Sequence, residues 1–86
     1  MDLSDQRAKI DYPTLWTYKV IGRDEAGILE AIKDAIGQRD HEVKASKVSS
    51  KGRFLSYEVT LSVVNEDDRV GLFHRIQAHS EVKMVL

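Results

Sequence analysis

The residues best equipped for recognition chemistry fall in one stretch: Ser49, Ser50, Lys51, Gly52, Phe54 and Ser56. Hydroxyls, cationic side chains and a glycine whose backbone can turn tightly are the groups that hold a small anion, through hydrogen bonds and turn amides. Lys19, with Tyr18 beside it, supplies a second cation from an earlier stretch. Catalysis has no comparable set. Ser49, Ser50 and Ser56 have no base at a spacing that would activate a hydroxyl. His74 and His79 are roughly 500° apart at about 100° per helical residue, so they do not form a same-face metal pair. The carboxylates are scattered or sit at helix starts, where capping accounts for them. No catalytic residue, metal site or cofactor is expected.

The elements that must position these residues can be read from periodicity. From Leu55 to Val63 the odd positions are apolar and the even ones polar after Phe54, the period-two mark of a half-buried strand. Leu55, Tyr57, Val59, Leu61 and Val63 are the expected core face. Val43–Ser50 is the expected preceding strand, joined through a turn at Lys51-Gly52 that places Val48 beside Leu55 and Ser46 beside Tyr57. Thr14–Gly22, rich in β-branched and aromatic residues, is the first strand, with Trp16, Tyr18 and Val20 inward and Leu15, Thr17, Lys19 and Ile21 outward. Between these strands, Asp24 caps a helix with Ile28, Ile32 and Ile36 on one face and Gly37 at its end. Asn65 caps a second helix with acids in its first turn and His74 and Arg75 near its end, as the helix dipole favours. Its expected apolar stripe is Val70, Phe73 and Ile76, with Leu72 at the border. Glu81–Leu86 is the last strand, with Val82, Met84 and Leu86 on one face.

Strand, helix, strand, strand, helix, strand is the order. Two helices that each hide one stripe need one shared surface, and right-handed crossovers place the hairpin between the parallel pairs. The prediction is an α+β, ferredoxin-like βαββαβ two-layer sandwich. Its four-stranded antiparallel sheet has order 4-1-3-2, with both helices on one face and the other face open. Residues 1–12 are an expected flexible tail and 13–86 a single domain. At 86 residues, net charge −1 and no cysteine, the chain suits a reducing compartment and is not built for a phosphate backbone. It has no run of about 18 apolar residues to span a membrane, and a cytoplasmic location is the default expectation.

Lys51-Gly52-Arg53-Phe54 is superficially like the third-strand motif of RNA-recognition domains. Those domains stack bases on more than one ring, whereas Phe54 is the only aromatic on its face and Glu58 opposes phosphate. RNA binding through the open face is the weakest alternative. Gly22-Arg23-Asp24-Glu25-Ala26-Gly27-Ile28-Leu29 resembles the opening of ACT domains, small-molecule regulatory modules of this topology. Asp24, Gly27 and Leu29 match, and Ala26 stands where those domains have proline. In such domains the glycine lets a ligand approach the backbone.

A closer likeness runs from Pro13 to Leu86. Trp16-Thr17-Tyr18-Lys19-Val20-Ile21-Gly22, Ser49-Ser50-Lys51-Gly52 with Phe54 and Ser56, and the closing Val82-Lys83-Met84-Val85-Leu86 resemble the YbeD family of small bacterial proteins of unknown function. That resemblance implies a ferredoxin-like fold similar to ACT domains and supplies no catalytic residue. Together these readings give a non-enzymatic regulatory or binding module. Its expected contact residues are Tyr18, Lys19, Ser49, Ser50, Lys51, Gly52, Phe54 and Ser56, and its partner a small anionic molecule or a protein. A protein–protein adaptor pairing through the edge strands Val43–Ser50 or Glu81–Leu86 is the alternative. The expected state is a monomer or weak homodimer.

Overall fold

The computed structural model describes residues 9–46 and 53–86. Strand β1 is Thr14–Gly22, helix α1 Glu25–Ile36, β2 Glu42–Ala45, β3 Leu55–Val63, helix α2 Glu66–Gln77 and β4 Met84–Val85. The sheet order is β2-β3-β1-β4, antiparallel throughout, so the ferredoxin-like βαββαβ arrangement predicted from the sequence is the one found. All nine residues of β1 pair with β3, from Thr14 opposite Val63 to Gly22 opposite Leu55.

Alternation decides which face is buried. Tyr18 and Val20 from β1 and Val59, Leu61 and Val63 from β3 point under the helices. There they meet Ile28 and Ile32 of α1 and Leu72 and Ile76 of α2, all essentially inaccessible to water. Burying each such aliphatic side chain stabilises the fold by about 1.5–3 kcal/mol. The helix ends behave as read. Asp24 accepts from the Gly27 amide at 2.8 Å, and Asn65 from the Asp68 amide at 2.8 Å. Gly37 closes α1 at φ +70°, and its amide bonds the Lys33 carbonyl.

Three local expectations fail. The β2–β3 register lies one residue away, with Ala45 opposite Tyr57 and the Ser46 amide bonded to the Ser56 carbonyl at 2.7 Å. An odd number of residues then separates Ser46 from Ser56, whereas a two-residue turn leaves an even number. A one-residue slip reverses every facing side chain, so Ser46 joins the open face and not Tyr57's face. The assigned strand also stops at Ala45, and the part of the expected Val43–Ser50 strand from Lys47 on, like the Lys51-Gly52 turn, lies outside the described residues. In α2 the inward line is Leu72 and Ile76, while Val70 is 37% exposed. The rotation of α2 is set by polar anchors: the Tyr18 hydroxyl donates to the Arg69 carbonyl at 2.6 Å, and Asp68 is drawn toward Arg39. In the last strand Val82 and Val85 face inward, three apart, and Met84 and Leu86 are exposed. The Val82 amide bonds the His79 carbonyl, so the chain is still turning there and strict alternation begins only afterwards.

Arg39 and Asp68 lock the end of α1 to the start of α2. The guanidinium donates to both carboxylate oxygens, at 2.8 and 2.9 Å, and to the Ser62 carbonyl at 2.7 Å. The Val64 amide adds a bond to Asp68 at 3.0 Å. Such two-pronged pairs are the strong class of ionic hydrogen bond. They hold the Asp68 carboxyl down to about 2, the Arg39 hydrogen bond being the largest cause and the Val64 amide adding to it. A carboxyl lowered on folding contributes its stability above the unfolded value and loses it as pH falls through the folded one. Asp68→Asn should therefore cost about 1–2 kcal/mol in urea unfolding at pH 7, discounted for the partly exposed Arg39. The wild-type advantage should shrink as pH falls from about 4 to 2, and a difference that stays constant over that window would contradict this assignment.

Candidate functional site

The open face carries Leu15, Thr17, Lys19 and Ile21 from β1 and Ser56, Glu58, Thr60 and Ser62 from β3, side by side in register. Most of it is a self-satisfied polar layer. The Thr17 and Thr60 hydroxyls are 2.8 Å apart, and Glu58 lies between Lys19 and Lys44 on the neighbouring strands. Opposite charges across strands contribute a few tenths of a kcal/mol, up to about 1. Lys19 is thus a member of a charge ladder, half-buried and opposite a carboxylate.

The end of the sheet where β1 turns into α1 differs. Continuing the β1–β3 ladder past Gly22 and Leu55 brings Arg23 beside Phe54, and the guanidinium carbon lies 5.5 Å from the ring centroid. Arg23 and Arg53 line one shallow recess of about 300 Å³. Ser56, the next residue but one from Phe54, is only 8% exposed, and its hydroxyl oxygen is buried without a hydrogen-bond partner. An unsatisfied buried hydroxyl costs about 1–3 kcal/mol, so Ser56, opposite Ile21 and two residues along the strand from Phe54, carries an unfilled polar requirement.

Of the residues expected to form the contact surface, Phe54 lies at this corner beside Arg23, and Ser56 follows two residues along β3, where it is buried. Lys19 shares their face but stands opposite Glu58, further along the strand. Tyr18 belongs elsewhere: it is 1% exposed, on the helix side, and its hydroxyl is committed to the Arg69 carbonyl. Burial raises its phenol above the ordinary range, so it stays a neutral donor. Ser49, Ser50, Lys51 and Gly52 lie outside the described residues. Sequence reasoning gave Arg23 and Arg53 no place in the contact set, because nothing short of the β1–β3 register shows that the two share a corner.

The ACT-like glycine has a different occupant from the one anticipated. A methyl group on Gly27 would lie 2.4 Å from Oε1 of Glu81 and 2.9 Å from its Cβ and Cγ. The chain's own Glu81 therefore fills the space a ligand would need. On Gly22 a methyl group would meet the Glu81 carbonyl at 2.6 Å and Ile28 at 2.8 Å. Both glycines let the segment before β4 pack against the β1–α1 turn. Arg23, Asp24, Glu81 and Lys83 line a neighbouring recess of about 350 Å³ of mixed charge, which favours a zwitterionic surface over an anion site. Tyr57 leaves the core edge to donate its hydroxyl to Glu25, and this bond raises its phenol pKa. Among the described residues no group of three or more His, Asp or Glu is placed to hold a metal ion, and no helix is long and apolar enough to cross a membrane.

Comparison with known proteins agrees with this architecture. The profile of a family described as "Protein of unknown function (DUF493)" matches residues 7–86. An uncharacterised Campylobacter jejuni protein is 33% identical over 73 residues, covering 85% of this chain and 84% of its own. A Leptothrix cholodnii protein bearing the family label UPF0250 is 28% identical over 89 residues, covering 99% and 98%. Among solved structures, a Helicobacter pylori protein determined in solution superposes with a TM-score of 0.81 at 27% identity, covering 100% of this chain and 94% of its own. The ACT domain from the GTP pyrophosphokinase of Chlorobium tepidum superposes with a TM-score of 0.61 at 19% identity, over 86% and 96% of the two chains, a likeness of fold.

The two glycines make a paired prediction. Gly22→Ala drives a methyl group into a backbone carbonyl and should cost about 2 kcal/mol or more, the range of overpacked sites. Gly27→Ala meets mainly a flexible, exposed side chain. It should cost about 1 kcal/mol or less while releasing Glu81 from the helix start. Urea unfolding of both variants checks the order, and a costlier Gly27→Ala would show that Glu81 is held in place.

Proposed function

Because this chain belongs to the DUF493 family of proteins of unknown function, we propose on the geometry alone that it is a non-catalytic, ACT-like regulatory module that binds a small anionic molecule. The ligand site is the corner formed by Arg23, Arg53, Phe54 and Ser56. The observation that carries this reading is the convergence of two arginines on one recess beside the Phe54 ring. Guanidinium groups give forked hydrogen bonds to carboxylate or phosphate oxygens, and the adjacent ring face suits a planar or apolar remainder. Ser56 supplies a hydroxyl without a partner of its own. In this reading Lys19, opposite Glu58, and Tyr18, bonded to the Arg69 carbonyl, are not ligand contacts.

Such a ligand bridges the β1–α1 turn and the start of β3, and so connects the two central strands with α1. Occupancy stiffens a junction that Gly22 and Glu81 already make compact, which is how a small module passes a binding event to whatever it is attached to or touches. The absence of cysteine suits the cytoplasm as the working compartment.

Titration of the ¹⁵N-labelled chain with inorganic phosphate, pyrophosphate and succinate tests the reading. Saturable shifts should centre on Arg23, Phe54 and Ser56 for at least one of these probes. Arg23→Ser should weaken that binding about tenfold or more, as expected for loss of a charged hydrogen-bonding partner. Non-saturable drift for all three, or saturable shifts centred on Lys19, Lys44 and Glu58, would contradict it.

A further inference from the structure

β4 covers only half of β1. Its register places Val85 beside Val20 and Met84 beside Ile21, and Lys19 exchanges both backbone bonds with Leu86, at 3.0 and 2.9 Å. Successive residues of a strand aim their backbone groups to opposite sides. Since Lys19 aims outward, so do Leu15 and Thr17; among the described residues no backbone group answers them, and the Leu15 carbonyl takes only a long bond, 3.5 Å, from the neighbouring Thr14 hydroxyl. The outer edge of β4 is treated differently, because the Val85 amide is capped by the Gln77 side chain at 3.2 Å. Besides the outer side of the short strand β2, the open edge of this sheet is therefore the first half of a central strand.

That edge is flanked on the helix side by a groove of about 400 Å³, lined by Trp16, Arg69, Val70, Phe73 and Leu86 among others. Arg69 stacks over Trp16 at 4.7 Å from the ring centroid. Val70 is 37% exposed, and Phe73 is only half-buried. On the opposite face Leu15 is 71% exposed. Unpaired backbone groups with apolar side chains above and below are what an added strand requires.

We propose that this edge is the self-association surface of the protein, where β1 of a second copy pairs antiparallel with β1 about a two-fold axis at Trp16. Three features of the chain fit that occupant. The first is register: with Trp16 opposite Trp16, Leu15 of each copy faces Thr17 of the other. These are the residues whose amides and carbonyls point outward, so both pairs close as hydrogen-bonded rings. The second is extent. Leu86 already fills the place opposite Lys19 that Pro13 of the other copy would reach, so pairing spans Thr14 to Tyr18 of each copy, and the bend at Tyr12-Pro13 turns each chain aside there.

The third feature is charge. β3 runs against β1, and α2 returns across the sheet to a strand parallel with β3, so α2 runs in the direction of β1. Two copies related by this axis set their α2 helices antiparallel. Arg69 lies over Trp16, so the axis passes near Val70 and brings Glu66 of one helix level with Phe73 and His74 of the other. Glu66 of each helix lies level with His74 of its mate, with Arg75 one residue further on, and the exposed Val70 side chains meet at the centre. A closed, isologous contact of this kind needs no further surface. It is small, at the weak end of specific interfaces, with an expected dissociation constant of roughly 0.1 mM.

Sedimentation velocity of the full chain from about 10 μM to 1 mM tests this, because that span brackets the expected midpoint. The wild type should pass from monomer to dimer. Val70→Glu, on an exposed helix position, and Thr17→Pro, which removes an amide hydrogen that β3 does not use, should each weaken association about tenfold or more. Circular dichroism of Val70→Glu should match the wild type. A chain still monomeric at 1 mM, or a dimer indifferent to both substitutions, would overturn the proposal. So would a monomeric chain whose Leu15 and Thr17 amides become protected only on adding an extended peptide from another protein.

Discussion

The complete pairing of β1 with β3 is the constraint on which the other features rest. Nine consecutive register positions fix which side of each central strand meets the helices, and a single slip would exchange the two faces of the sheet. Because that register holds, Tyr18 and Val20 share an interior with Val59 and Leu61, and Thr17 meets Thr60 on the exposed side. The same register, carried one residue beyond β1, sets Arg23 against Phe54. The polar anchors act on the helices instead. The Arg39–Asp68 pair and the Tyr18–Arg69 bond fix where α2 begins and how it is rotated, and apolar contacts then fill the interior.

Much of this fold was legible because its signals are local. The inward face of β3 follows from strict alternation, and the extent of β1 from its β-branched and aromatic run. The helix starts follow from Asp24 and Asn65, whose side chains do cap them. The errors occur where a distant partner decides. Val70 and Leu72 are equally apolar, and only the tertiary bonds at Asp68 and Arg69 rotate Leu72 inward. Val82 and Met84 alternate on paper, but a turn bond from Val82 to His79 breaks the phase. The β2 register could not follow from a glycine at 52, since one residue more or less in the connection changes it.

The recognition residues were legible by type and less so by place. Phe54 and Ser56 alternate onto one face in sequence, and Ser56 lies on that face, though buried where alternation alone reads it as exposed. Tyr18 was grouped with them because it adjoins Lys19 in sequence, although neighbours in a strand point to opposite sides. The arginines of the corner needed the register, and the role of Gly27 needed the path of Glu81. A glycine at a helix start admits whatever comes closest, and here that is a side chain of the same protein. The shortness of β4 was also hidden, since Glu81–Leu86 reads as a full strand while only its end pairs with β1.

Amide hydrogen exchange along β1, at a concentration low enough to keep the chain monomeric, tests this architecture most directly. Trp16, Tyr18 and Val20 face β3, and Lys19 is bonded to Leu86, so these amides should exchange slowly, while Leu15 and Thr17 on either side of Trp16 exchange fast. Slow exchange at Leu15 and Thr17 in the monomer would mean that another part of the chain covers the outer edge of β1. Uniformly fast exchange from Trp16 to Val20 would mean that the central pairing itself is not as described.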